Sequence, residues 1–151
     1  CAAEILEHSL AEGVEVIGYE AFDDRYSLTS VRLPSTLRII GGAAFYGCHN
    51  LLDIEFPDSL EFIGDEAFRY CEGLTALTIP ASVATIESEA FEYCYQLETV
   101  IFEGEKDRVE IGLNAFLSDT SRLNSLYGED NDAFIKSVRK LQNLLETLFL
   151  L

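Results

Sequence analysis

The sequence predicts a repeat solenoid of about five 23-residue units wound around one continuous core. Three observations carry that prediction. Phe recurs at 22, 45, 68, 91 and 116, in steps of 23, 23, 23 and 25. Ala precedes it each time (Ala21, Ala44, Ala67, Ala90, Ala115), and Ile stands five places before it at 17, 40, 63, 86 and 111. Leu28, Leu51, Leu74 and Leu97 follow six places after Phe, with Leu123 one place late. A unit of 23 residues is too short to bury its own apolar face, so each must stack on its neighbours.

The elements follow in chain order. The stretch AAEILEHSLAEG (2–13) is weakly amphipathic and reads as an N-terminal segment or the remnant of a preceding repeat. In LTSVRLP (28–34), Val31 and Leu33 alternate with Ser30 and Arg32, which is strand spacing. Pro34, Pro57 and Pro80 end the successive strands because they lack the N–H a ladder needs. STLRIIGGAAF then turns and runs back with Leu37 and Ile40 pointing inward, and GAAFYGC reads as one helical turn around Phe45. Copies of the strand stacked about 4.8 Å apart give a parallel sheet on one face. Phe then lies over Phe, and Cys48 over Cys71 and Cys94, as small core-filling side chains. The last copy, VIFEGEKDRVEIGLNAF, carries an insertion and loses both Pro and Cys.

After the repeats (14–126) comes a linker and an expected capping helix (127–151). In DAFIKSVRKLQNLLETLFLL the apolar residues at 134, 138, 141, 145 and 148 alternate by four and three, a helical seam over about 132–148. A solenoid exposes a raw apolar end, so this helix is expected to cover the last coil. The competing reading is a homodimer through residues 132–151.

The unit LxxIxFPxSLxxIGxxAFxxCxxL, best seen over residues 51–74, resembles the BspA-like, or Treponema-type, leucine-rich repeat. Leu51, Ile54, Phe56, Pro57, Ser59, Leu60, Ile63, Gly64, Ala67, Phe68, Cys71 and Leu74 carry the likeness. Glu87 replaces the Gly in the next copy, and Arg25 replaces the Cys in the first. Thr36, Ser59 and Ser82 stand where ordinary leucine-rich repeats place Asn or Cys. The resemblance implies a right-handed leucine-rich-repeat coil in a secreted or surface protein of the bacterial type. It implies binding to host proteins or other cells, and it implies no catalysis.

Composition narrows the function. The net charge is −17, from 27 acidic and 10 basic residues, which disfavours nucleic acid and anionic membranes as partners. No apolar run reaches the roughly 20 residues of a membrane-spanning helix. Two histidines, His8 and His49, cannot assemble a serine–histidine–aspartate set. Cys48 next to His49 suggests a nucleophile, but the Cys column is expected to face the core, where a thiol is inert. In-line cysteines lack the paired spacing of zinc ligands, and GEDND (128–132) lacks the spacing of a calcium loop. No enzyme activity, metal or cofactor is therefore expected. No secretory-signal pattern is present in these 151 residues. Cys1 fits either an acylated lipoprotein N-terminus or the boundary of an excised domain, and the second is the expectation.

The best candidate site is the outward strand face: Ser30, Arg32, Asp53, Glu55, Ala76, Thr78, Thr99 and Ile101. A second is the aromatic column of Tyr70 and Tyr93, with Tyr26 and Tyr95 nearby, which suits protein contacts or sugars. Its plainer reading is packing of the outer wall. The sequence thus points to a non-catalytic protein-binding or adhesion module. The alternatives are an oligomerising spacer and an accessory domain of a larger extracellular enzyme.

Overall fold

The computed structural model describes residues 7–105 and 108–116. Among them, ten short strands alternate between two rows. One row holds β1 (Glu7–Ser9), β3 (Ser30–Arg32), β5 (Asp53–Ile54), β7 (Ala76–Ile79) and β9 (Thr99–Phe102). The other holds β2 (Val16–Ile17), β4 (Ile39–Ile40), β6 (Phe62–Ile63), β8 (Thr85–Ile86) and β10 (Glu110–Ile111). All ladders are parallel, and the register equals the repeat: Val31 pairs with Ile54, Leu77 with Val100, Ile40 with Ile63. The predicted leucine-rich-repeat solenoid is the observed fold.

β1 extends the register by one unit, placing His8 against Val31 and Ser9 against Arg32. The first row is a ladder in two pieces, β1-β3-β5 and β7-β9, whereas the second is continuous from β2 to β10. This second sheet was not expected. Its signal was the Ile column at 17, 40, 63, 86 and 111, read only as an inward-pointing return. Two residues are too few for alternation to show.

The expected helical turn around each Phe is instead a run of tight turns. Ala44 N–H donates to Gly41 O (3.3 Å), Tyr46 to Ala43 (3.1 Å) and Cys48 to Phe45 (3.3 Å). The turns also bond between coils, so Phe45 N–H reaches Ala67 O at 2.7 Å and Phe68 N–H reaches Ala90 O at 2.7 Å. Two positions per turn are left-handed: Glu20, Ala43, Glu66, Glu89 and Asn114 in one column, and Asp24, Gly47, Tyr70 and Tyr93 in another. A Cβ added to Gly64 would lie 2.6 Å from Gly42 N, which shows how closely these turns stack.

The core runs the length of the coil. Phe45, Phe68 and Phe91 are fully buried, and the rings from Phe22 to Phe116 stack with centroids 5.0–5.2 Å apart. The coil height sets that separation. The slot repeated in each coil is filled chemically as well as sterically. Cys48, Cys71 and Cys94 are buried free thiols that donate to Phe22 O (3.1 Å), Phe45 O (3.1 Å) and Phe68 O (3.2 Å). Thr36 and Ser59 bridge coils likewise, donating to Val14 O (2.8 Å) and Leu37 O (2.6 Å). Cys1, the linker and the helix expected over 132–148, with its homodimer stripe, lie outside the described residues.

Candidate functional site

Alternation along the first row turns one set of side chains outward. Val31, Ile54, Leu77 and Val100 are buried, while Arg32, Asp53, Glu55, Ala76, Thr78, Thr99 and Ile101 are exposed and Ser30 is half-buried. The sequence-predicted strand-face residues therefore do share one surface. Ser30, Arg32, Asp53 and Glu55 also line a 480 Å³ groove with Glu12, Ser35, Phe56 and Pro57. Glu12 is held there by Ser35, whose N–H and hydroxyl donate to its carboxylate at 3.1 and 2.9 Å. Thr78 and Ile101 stand apart from the groove, paired on β7 and β9.

Tyr70 and Tyr93 form a separate site on the turns. Their rings stack at 4.8 Å, and the Arg69 guanidinium carbon lies 5.5 and 5.4 Å from the two ring centroids. Tyr46 meets Tyr70 edge-on at 5.6 Å, and Tyr95 sits 5.9 Å from Tyr93. Since the Tyr70 and Tyr93 faces cover each other and Arg69, they offer little free ring face for sugar stacking. The packing reading of the outer wall fits them better.

Arg69 is the functional-looking residue that sequence reasoning passed over. Its Nη1 lies 2.9 Å from Glu66 and 2.7 Å from Glu89, and its Nε lies 2.8 Å from Glu92 Oε2. Those last two atoms are buried and too misaligned to hydrogen-bond. Burial pushes the Glu92 carboxyl up to about 7; Arg69 pulls it down, while Glu89 and Glu66 push it further up. Burial opposes the Arg69 charge, but the three carboxylates outweigh it. A signal was available: Arg69 and Glu92, like Arg38 and Glu61, are opposite charges one period of 23 apart, and His49 faces Glu72 at the same spacing.

Two further hollows adjoin this cluster through Glu89 and Glu66. One of 670 Å³ gathers Asp65, Glu87, Glu89 and Glu110, and one of 260 Å³ gathers Glu20, Asp23, Asp24 and Glu66 between Tyr19 and Tyr46. Burial first, then neighbouring carboxylates, raises the Asp65 and Asp23 carboxyls above their ordinary range. The 670 Å³ hollow exceeds the strand-face groove; its side-chain polar groups are carboxylates and the hydroxyls of Thr85 and Ser88, with no histidine, lysine or cysteine among them.

Covalent chemistry finds no footing in the three described thiols. Burial pushes Cys48 up to about 11 and raises Cys71 and Cys94 as well. His49 turns away from Cys48, stacking on Tyr26 at 5.4 Å and facing Glu72 at 3.3 Å. Among the described residues no group of three His, Cys, Asp or Glu side chains could hold a metal ion. No described helix is long and apolar enough to cross a membrane.

Comparison with known proteins follows the same lines. The model of the BspA type leucine rich repeat region matches residues 8–138 in six copies. No curated protein matches. A leucine rich cell surface protein from Faecalibacterium prausnitzii superposes with a TM-score of 0.63 at 26% identity, covering 68% of this chain and 33% of that one. The chain thus spans about a third of that protein's length. A leucine-rich repeat protein from Bacteroides capillosus is 30% identical with a TM-score of 0.55, covering 66% and 78%. The Treponema pallidum leucine rich repeat protein shares the fold, with a TM-score of 0.63 at 21% identity over 88% and 83%.

Proposed function

The chain belongs to the BspA-type leucine-rich repeat family, and from that premise we propose that it is a non-catalytic protein-binding module working through its strand face. Repeat solenoids of this kind commonly serve protein interaction and are typically non-catalytic. The observation that carries the reading is the groove lined by Ser30, Arg32, Asp53 and Glu55, which lie on or directly after the paired strands β3 and β5. Those side chains are outward, while the residues between them are locked in the core. A partner can therefore be held without disturbing the coil. We place the module on a bacterial-type cell surface or in a secreted protein, on the family and on the cell surface protein it resembles. Its partner on this reading is a host or cell-surface protein.

The test is a panel of immobilised extracellular proteins probed with the full chain and with an Arg32→Glu, Glu55→Lys variant. The expected result is a partner whose affinity falls at least about tenfold in the variant, with the circular dichroism spectrum unchanged. A partner bound equally well by variants across the whole strand face would overturn the proposal.

A further inference from the structure

The strand face is not uniform along the solenoid axis. Its outward column runs Ser9, Arg32, Glu55, Thr78, Ile101, and the column beside it runs Glu7, Ser30, Asp53, Ala76, Thr99. From β3 onward, past Glu7 and Ser9 on β1, the face presents a cation, then two carboxylates, then neutral side chains ending in an exposed Ile101. These charges are available. The ion pairs among the described residues engage Arg38, Arg69 and Arg108, His49 lies against Glu72, and Arg32, Asp53 and Glu55 enter none of these contacts. Even a transient Arg32–Glu55 pair would be solvent-exposed and readily exchanged for a partner's charges.

Resting on the strand-face reading above, we infer that the partner presents an extended segment lying along the solenoid axis with a basic side chain between an acidic one and an apolar one. The acidic group meets Arg32, the basic group meets Asp53 and Glu55, and the apolar group covers Ile101 and Ala76. The lengths agree. From β3 to β9 is three coil heights, about 14 Å, and residues i to i+4 of an extended strand span about 13.6 Å. Coil height and strand rise differ at the middle contact by about 2 Å, which a flexible basic side chain absorbs. Either chain direction can present this order, because the basic residue lies midway between the acidic and the apolar one.

Three capped peptides of one composition test this: GSDSKSLSG, GSKSDSLSG and GSDSLSKSG, titrated into the full chain by fluorescence anisotropy at low salt. The Lys-centred peptide is expected to bind at least about tenfold tighter than the other two. A reversal variant, Arg32→Glu with Asp53→Lys and Glu55→Lys, is expected to prefer the Asp-centred peptide. If the reversal variant weakens all three equally and the wild type ranks none, the strand face binds but the order inference is wrong. If all three peptides bind and no strand-face variant changes them, the strand-face reading itself falls. No binding of any peptide at millimolar concentration overturns the inference while leaving the larger-partner test of the preceding section to judge the site.

Discussion

The Cys71 thiol sits 3.1 Å from the Phe45 carbonyl oxygen in a slot with no solvent exposure. A side chain there must be small, and it gains by donating one hydrogen bond. Cys meets both demands, which is why it recurs where Ala would fit sterically. Cys71→Ala should cost about 1–2 kcal/mol, from the lost sulfur contacts and the lost donor. Cys71→Ser keeps a donor and should lose less. Urea midpoints check the ranking, and an Ala variant at least as stable as the Ser variant would refute it. Glu92 makes the opposite kind of case. Its carboxyl is raised to about 7 in the folded chain, against an ordinary value of 4.5. The folded state therefore binds the proton more tightly, so the contribution to stability is full below 4.5 and is lost as pH rises through about 7. Glu92→Gln should flatten the fall in stability between those limits, and should stabilise the chain at pH 8 by roughly 1–3 kcal/mol. Thermal melts from pH 4.5 to pH 8 read this directly, and parallel curves for the two proteins would contradict it.

Stacking at the level of the coil makes position along the axis matter more than residue type. Phe68 has stacked rings on both sides and no exposure, whereas Phe22 ends the described stack, half-buried against His8. Phe68→Ala should therefore cost about 3–5 kcal/mol and Phe22→Ala distinctly less, as measured by chemical denaturation. Equal losses would mean that the coils do not share one core. The same equivalence of coils decides what could be read beforehand. Columns of identical residues, such as Phe, Ala, Ile and Leu, announce themselves by repetition, and from them the coil, the strand row and the outward set follow. The second sheet escaped because strands such as Ile39–Ile40 are too short for a pattern. The Arg69 cluster escaped because Arg69, Glu92 and Tyr46 share a column without sharing a residue type. Periodicity in charge, rather than in identity, would have exposed it. The division of the strand face into charged and neutral halves was visible in the letters, but the groove at Ser30, Arg32, Asp53 and Glu55 required the fold of Glu12 and Ser35 beside it.

For the molecule as a whole, a net charge of −17 on stacked coils places like charges one coil height apart. Glu20, Asp23, Asp24, Asp65, Glu66, Glu87, Glu89 and Glu110 gather around two hollows, with Arg69 as the cation clasped between Glu66, Glu89 and Glu92. The carboxyls of Asp23, Asp65 and Glu92 are all raised, and in each the folded chain favours the protonated form. Glu61, lowered by Arg38, works the other way but is solvent-exposed and screened. The raised Glu92 carboxyl predicts a solenoid that gains stability as pH falls from about 8 to about 5, and the upward shifts at Asp23 and Asp65 act in the same direction, because each proton taken up relieves repulsion that unfolding would otherwise relieve. Salt should substitute for those protons. The Debye length of about 10 Å at 0.1 M, shrinking to about 3 Å at 1 M, spans the range in which one coil's charges stop sensing the next. Raising sodium chloride from 10 mM to 1 M at pH 8 should therefore raise the melting temperature by several degrees, and the gain should shrink at pH 5. A melting temperature indifferent to salt at pH 8 would mean that the carboxylates around the two hollows are too well solvated for their charges to oppose one another.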